Sequence, residues 1–168
     1  RLAWLSFNLA TAFLAAGVVS LFENTIARWT ALAIFLPVIV GQGGNSGIQT
    51  LTIIIRGMAM GELKPGATWP VLVKELILAL LNGLAIGVTV ALVGWLWQND
   101  ARLGMVAGAA MVLNMLAAAL AGVLIPSALK AVRIDPAMAS GILLTTITDV
   151  AGLFFFLGLA TLAILCFA

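Results

Sequence analysis

Residues 76–99 read LILALLNGLAIGVTVALVGWLWQN, an interval without a charged side chain. About 20 apolar residues at about 1.5 Å each are enough to cross the roughly 30 Å hydrocarbon core of a bilayer, so this interval predicts a membrane-spanning helix. Uncharged intervals of similar length occupy residues 2–22, 29–55 and 103–129, and residues 136–168 form a fifth that only Asp149 interrupts. The predicted fold is therefore an all-α integral membrane domain with five transmembrane helices over residues 1–168.

The composition excludes a water-soluble globule. Of the 168 residues, 64% are hydrophobic and 8% are charged, against about 45–50% and about 25% in soluble domains. A net charge of +2, without a basic segment interleaved with aromatic residues, argues against a nucleic-acid partner. The absence of histidine removes Ser-His catalysis and imidazole metal sites, and the single cysteine removes multi-cysteine sites. These features predict a lipid-embedded protein that is not an enzyme.

The basic residues indicate an orientation, because cytoplasmic loops carry the excess of Lys and Arg. On an alternating five-span path only Arg28 and Arg102 lie on one side, whereas the other side carries Arg1, Arg56, Lys64, Lys74, Lys130 and Arg133. This asymmetry predicts a cytoplasmic N-terminus and an external C-terminus in the cell membrane. Because the chain starts at Arg1 without methionine, we expect a fragment of a longer protein, whose missing N-terminal region, if there is one, is cytoplasmic.

The longest predicted connection is residues 56–75. It contains residues that usually end helices, namely Gly57, Gly61, Pro65, Gly66 and Pro70. The other predicted connections are short.

Asp149 is the strongest indication of function. A carboxylate near the middle of a span costs at least about 2.5–3.5 kcal/mol on insertion scales, so it normally faces water, a cation or a partner. The predicted spans contain no Lys, Arg or His to pair with it. A permeating cation is the favoured partner, and a protonated carboxyl that is hydrogen-bonded within the helix bundle is the alternative.

Small and oxygen-bearing residues continue the helix face of Asp149. Thr145 and Gly141 precede it at intervals of four, and Gly152 follows it at an interval of three. Such a stripe suits the lining of a narrow aqueous pore. Tight helix packing by small residues in lipid is the alternative explanation.

The second span combines Pro37 with residues 41–49, GQGGNSGIQ, which predicts a weak and kinked helix. Such a helix is tolerated at membrane depth where it is buried in protein or faces water. Gly41, Asn45 and Gln49 are spaced by four, which places two amide side chains on one face, where their carbonyl oxygens would meet the water shell of an ion. Flexible packing is the alternative.

Further polar residues lie near the ends of the spans. Lys74-Glu75 begins the third span and Asn82 lies two turns deeper on the face of Glu75, which predicts either an interfacial ion pair or a cation vestibule. Asp135 is a further candidate for this vestibule, although with the proline that follows it also has the pattern of a helix N-cap. Asn114 predicts a hydrogen bond between helices.

Two motifs together resemble the MgtE family of magnesium channels. The first, similar to the second transmembrane segment of the family, is Pro37-xxx-Gly41-xx-Gly44-Asn45-x-Gly47-x-Gln49. The second, similar to the fifth segment, is Asp135-Pro136-Ala137-xx-Ser140-Gly141-xxx-Thr145-Thr146-xx-Asp149. The resemblance covers essentially the whole chain as a five-span domain, and the pair of motifs is specific.

The resemblance implies a homodimer with its pore on the two-fold axis, lined by the second and fifth helices of both subunits. The position of Asp149 matches the pore carboxylate that binds hydrated Mg²⁺, so Mg²⁺ is both the transported ion and the expected ligand. The rest of the implied pore lining is Gly41, Gly44, Asn45, Gln49, Gly141, Thr145 and Thr146. Family members usually carry a cytoplasmic N-terminal domain and a CBS-domain pair that sense Mg²⁺, which would precede Arg1.

The predicted function is a channel for hydrated Mg²⁺, with Asp149 of each subunit as the pore carboxylate. Mg²⁺ releases its waters reluctantly, so outer-sphere hydrogen bonds avoid most of the dehydration cost. The main alternative is a secondary transporter in which Asp149 is a proton or sodium site. An aspartyl protease needs two carboxyls close together, which a pore for a hydrated ion would separate, and a purely structural subunit leaves Asp149 unexplained.

Overall fold

The computed structural model describes residues 2–62 and 68–167, without the side chains of residues 3, 4, 138 and 167. This part of the chain contains six helices and no strand, which confirms the predicted all-α fold for the described residues. In chain order the helices are α1 (Leu2–Leu21), α2 (Glu23–Arg28), α3 (Leu32–Ala59), α4 (Thr68–Gln98), α5 (Ala101–Ala131) and α6 (Pro136–Phe167).

Three of the described helices are long and apolar enough to cross a membrane, namely α4, α5 and residues Ala139–Cys166 of α6. The apolar run of α1, Leu5–Leu21, is shorter. The 28 residues of α3 would extend about 42 Å, but its Gly, Gln and Asn residues make it more polar than the other long helices. Membrane crossing by α1 and α3 therefore stays a prediction.

The connection between α3 and α4 is shorter than predicted. Gly57 lies inside α3 and Pro70 lies in the first turn of α4, so the prediction that these two residues end helices is wrong. Pro70 is tolerated because the first backbone N–H groups of a helix have no acceptor within that helix. Of the other predicted helix breakers, Gly61 follows α3 with a positive φ of 71°, and Pro65 and Gly66 lie outside the described residues.

Helix α5 is the centre of the bundle. It packs against α3, α4 and α6, while α1 packs on α6. The main apolar core joins α3, α5 and α6, and its largest buried side chains include Leu32, Phe35, Ile39, Leu103, Met111 and Phe156. This arrangement places α3 and α6, which carry the two motifs, against a common helix.

Helices α4 and α5 approach closely through glycine. A Cβ atom at Gly87 would lie 2.8 Å from the carbonyl oxygen of Gly108, and one at Gly108 would lie 2.7 Å from that of Gly87. A backbone carbonyl cannot move aside as a flexible side chain does, so only hydrogen fits at these positions. The glycines of α4 and α5 therefore pack two helices of the same chain.

Candidate ion pathway

Helices α3 and α6 contact each other through small residues. A Cβ atom at Gly47 would lie 2.9 Å from the Leu144 side chain, and one at Gly44 would lie 3.9 Å from the Thr148 hydroxyl. As the residue number rises along α3 it falls along α6, so the two helices are antiparallel. The structure thus brings the two sequence motifs into contact.

Asp149 lies beside this contact. Gly44 faces Thr148 and the helices are antiparallel, so Asp149 and Asn45 lie one residue from this contact in opposite directions, and therefore within about one turn of each other along the bundle. Thr148 is fully buried, whereas Asp149 is half-buried. Within residues 2–62 and 68–167, no side chain forms a hydrogen bond or an ion pair with the Asp149 carboxylate.

The threonines near Asp149 use their hydroxyl protons within α6. Thr145 Oγ1 donates to the carbonyl oxygens of Gly141 and Ile142, both at 3.1 Å, and Thr146 Oγ1 donates to that of Ile142 at 2.8 Å. Both threonines are half-buried. A hydroxyl oxygen that donates its proton still has lone pairs that can accept a hydrogen bond from water. These two residues can therefore act as acceptors.

The glycine-rich segment of α3 has two distinct faces. Gly43 and Gly47 are buried against neighbouring helices, which agrees with the packing explanation for these two positions. Gly41, Asn45 and Gln49 lie on the exposed face, and a Cβ atom at Gly41 would meet nothing within 4 Å. Packing therefore explains one face of the segment, whereas on the other face the side chains of Asn45 and Gln49 form no hydrogen bond with the described residues.

Asn114 of α5 packs against both α3 and α6. It is fully buried, and its Nδ2 donates to the carbonyl oxygen of Ile39 on α3 at 2.9 Å. A Cβ atom at Gly152 of α6 would lie 2.5 Å from the same Nδ2, and Gly43 packs against the amide as well. Asn114 Oδ1 has no hydrogen-bond partner in the described part of the chain.

This geometry confirms the predicted hydrogen bond between helices and shows a role that the sequence did not reveal. Because glycine at positions 43 and 152 leaves room for the amide, Asn114 sets the distance between α3 and α6 at one turn from Asp149. The sequence feature that indicates such a role is a single amide side chain in an otherwise apolar helix. The sequence does not show which glycines contact this amide, because that depends on how the helices pack.

Glu75 is held inside the bundle. It is 9% exposed, and Thr50 Oγ1 on α3 donates to its Oε2 at 3.2 Å. Lys74 is exposed, and among the described residues it forms no ion pair with Glu75. The predicted interfacial ion pair is therefore absent from this part of the structure, and Glu75 instead links α4 to α3.

The other two predicted vestibule residues have different surroundings. Asn82 is exposed, whereas the buried stripe of α4 passes through Glu75, Ala79 and Gly83. Asp135 is exposed, and its Oδ1 accepts a hydrogen bond from the backbone N–H of Ala137 at 2.9 Å, which confirms the predicted cap of α6. Glu75 is thus buried in the bundle, Asn82 is exposed on α4, and Asp135 caps the start of α6.

Comparison with known proteins relates this arrangement to a family. Residues 36–159 match the model of the MgtE family, described as a divalent cation transporter. The chain is 33% identical over 161 residues to the magnesium transporter MgtE of Bacillus subtilis, 33% over 162 residues to that of Enterococcus faecalis, and 36% over 163 residues to that of Thermus thermophilus. Each match covers 96% of this chain, which spans 36% of the length of each relative.

Proposed function

Because this chain belongs to the MgtE family of divalent cation transporters, we propose that it forms a membrane pathway for hydrated Mg²⁺. The observation that carries the proposal is the half-buried Asp149 carboxylate, which has no partner among the described residues and lies within about one turn of the exposed Asn45 of α3 along the bundle. An unpaired carboxylate inside a span is costly unless it meets water or a cation.

The acceptor oxygens of Asp149 and of the neighbouring turns of α3 and α6 suit a hydrated ion. The waters around Mg²⁺ present hydrogen-bond donors outwards, so a ring that holds them needs acceptor oxygens. Asp149 supplies a carboxylate, Asn45 and Gln49 supply amide oxygens, and Thr145 and Thr146 supply hydroxyl lone pairs. Outer-sphere binding of this kind lets the ion keep its waters and so avoids most of the dehydration cost.

A second copy of the chain completes the pathway in this proposal. In a single protomer the exposed polar face of α3 would contact lipid, where unsatisfied polar groups are costly. Packing two such faces around a two-fold axis encloses them in a common aqueous path. Two Asp149 carboxylates then balance the charge of one divalent cation.

Transport down the electrochemical gradient distinguishes the proposed channel from a carrier. An open path between two polar faces needs no proton or sodium gradient to move Mg²⁺. In the alternative, Asp149 is the proton or sodium site of a secondary transporter, and Mg²⁺ uptake then follows that second gradient.

Mg²⁺ flux into proteoliposomes tests this proposal. The chain is reconstituted around an internal Mg²⁺-sensitive dye, and wild type is compared with Asp149→Asn and with Glu23→Gln, a matched charge-removing control at an exposed carboxylate of α2. We expect at least a tenfold loss of flux in Asp149→Asn, wild-type flux in Glu23→Gln, and no response to an imposed pH or sodium gradient.

Two outcomes would contradict the proposal. Equal flux in wild type and Asp149→Asn would remove Asp149 from the pathway. Flux that stops when the proton and sodium gradients are abolished would favour the carrier.

A further inference from the structure

The end of the bundle that carries Arg28 and Arg102 contains a polar cavity of about 240 Å³. Its lining residues are Arg28, Trp29, Asp100, Arg102, Ala163 and Ile164. Two guanidinium groups and one carboxylate give it a positive balance. The carboxylate is partly engaged, because Asp100 Oδ1 caps α5 by accepting from the backbone N–H groups of Arg102 at 2.9 Å and Leu103 at 3.4 Å.

An apolar groove between α5 and α6 continues from this cavity. Arg102 and Ala163 also line a second cavity of about 190 Å³, whose other walls are Met105, Val106, Ala109 and Leu159. Leu159 in turn lines a third cavity of about 350 Å³, together with Leu113 of α5 and Phe155 and Gly158 of α6. The shared residues show that the second cavity adjoins both the first and the third.

The length of the groove matches one leaflet of a bilayer. Met105, Ala109 and Leu113 follow one another at intervals of four on one face of α5. From Arg102 to Leu113 the helix rises about 16 Å, and half of the hydrocarbon core is about 15 Å thick. The groove therefore has a charged end and an apolar remainder of acyl-chain length.

We propose that this groove binds one phospholipid, with its phosphate at Arg28 and Arg102 and one acyl chain along the apolar part. Guanidinium groups bind phosphate through paired charge-assisted hydrogen bonds, and a tryptophan beside them suits the headgroup level. Free phosphate would occupy the polar cavity and leave the groove unfilled. The site is independent of the ion that the protein carries.

The chain is first reconstituted in nanodiscs of phosphatidylglycerol and phosphatidylethanolamine and then transferred to detergent. Native mass spectrometry in detergent shows which lipid stays bound and so tests the proposal. Two variants alter the two parts of the site. Arg28→Gln/Arg102→Gln removes the guanidinium groups of the charged end, and Gly158→Leu fills the apolar groove. A Cβ atom at Gly158 would meet nothing within 4 Å, and the same holds at Gly17 of α1, so Gly17→Leu is the matched control.

We expect wild type and Gly17→Leu to retain one phospholipid mass per chain. At equal lipid concentration, each of the two test variants should retain at least tenfold less. Arg28→Lys/Arg102→Lys should recover part of the loss, because it keeps the charge without the bidentate geometry. Unchanged helical circular dichroism in every variant shows that a loss of lipid does not come from unfolding.

Four results would overturn the proposal. The first is a wild type with no retained lipid, and the second is equal retention in all variants. The third is a retained mass of inorganic phosphate alone. The fourth is a dimer without lipid that Gly158→Leu converts to monomer, which would show that a second copy of the chain covers the groove.

Discussion

At the scale of single residues, Asn114 is the side chain whose environment explains most about the site. It contacts α3 through the carbonyl oxygen of Ile39 and through Gly43, and it contacts α6 through Gly152. Adding one methyl group at Gly43 or Gly152 is therefore expected to displace α3 or α6. Both glycines are needed because a polar amide occupies the space that their side chains would take.

Gly152→Ala is expected to destabilise the fold by about 1–3 kcal/mol, the usual cost of overpacking. Its Cβ atom would lie 2.5 Å from Asn114 Nδ2. Asn114→Ala removes the obstacle, so the double variant should be more stable than the sum of the two single changes predicts, by about 1 kcal/mol or more. Unfolding in mixed micelles, followed by circular dichroism, measures all four members of this cycle.

Gly17→Ala provides the control for this cycle. An added Cβ atom there meets nothing within 4 Å, so the variant should be neutral or slightly stabilised, and its effect should add to that of Asn114→Ala. Strict additivity of Gly152→Ala with Asn114→Ala would contradict the proposed spacing role.

Glu75 gives a second prediction at the residue scale. Glutamine keeps an oxygen that can accept the hydrogen bond from Thr50 but removes the charge. We expect Glu75→Gln to keep Mg²⁺ flux within about twofold of wild type, whereas Glu75→Ala should lose about 1–3 kcal/mol of stability because it leaves the buried Thr50 hydroxyl without this acceptor.

Flux measurements on proteoliposomes, with unfolding in micelles, separate the two roles of Glu75. If Glu75 instead binds the cation in a vestibule, Glu75→Gln should lower Mg²⁺ flux as strongly as Glu75→Ala does. That outcome would show that the charge matters more than the link to α3.

At the scale of helices, the uncharged intervals predict where a helix lies better than they predict how long it is. The interval 103–129 differs from α5 by two residues at each end, because its flanking charges, Arg102 and Lys130, lie in the first and last turns of the helix. The interval 76–99 misses the start of α4 at Thr68, because Glu75 is buried by a hydrogen bond to another helix. A charged residue marks a helix end when water solvates it there, but not when another helix buries it. Sequence alone does not distinguish a solvated charge from a buried one.

The faces of α3 show a similar limit for the site. The four-residue spacing of Gly41, Asn45 and Gln49 predicts a common face, and the structure places all three on the exposed side. The same sequence cannot show that Gly43 receives Asn114 and that Gly47 receives Leu144, since both contacts depend on the packing of α5 and α6. Helix periodicity is local, whereas the choice of partner belongs to the bundle.

The contact between α4 and α5 gives a prediction at this scale. Gly87→Ala and Gly108→Ala each place a Cβ atom within 2.8 Å of a backbone carbonyl oxygen, whereas Gly83→Ala places one 3.3 Å from the Cα atom of Val112. We expect the first two variants to lose about 2–3 kcal/mol of unfolding free energy and Gly83→Ala to lose less. Denaturant unfolding in micelles ranks the three. Equal losses would show that the helices separate easily.

At the scale of the whole molecule, the proposed homodimer would cover the exposed polar face of α3. Gly41, Asn45 and Gln49 lie on a helix that the bundle leaves open on that side. Lipid is a poor neighbour for amide groups, and an identical face across a two-fold axis offers both an enclosed path and a second Asp149. In this proposal, the ion pathway therefore depends on dimer assembly.

Mixed dimers provide the test of this assembly. Two copies with different affinity tags, one wild type and one Asp149→Asn, are co-expressed, and successive purification on both tags isolates the heterodimer. If both carboxylates hold one divalent ion, removing one leaves a single charge against two. We therefore expect Mg²⁺ flux well below half of the wild-type value, and a concentration of Mg²⁺ for half-maximal block of monovalent current that rises at least about threefold.

The tagged wild-type dimer, purified in the same two steps, is the control for this measurement. Two independent pathways, one in each protomer, would behave differently, because the intact protomer would still conduct normally. The heterodimer would then give half of the wild-type flux with an unchanged Mg²⁺ concentration for block. Since each carboxylate in a shared pore experiences the charge of the other through the ion between them, loss of one must alter affinity as well as flux, and it is the change in affinity that separates one pore from two.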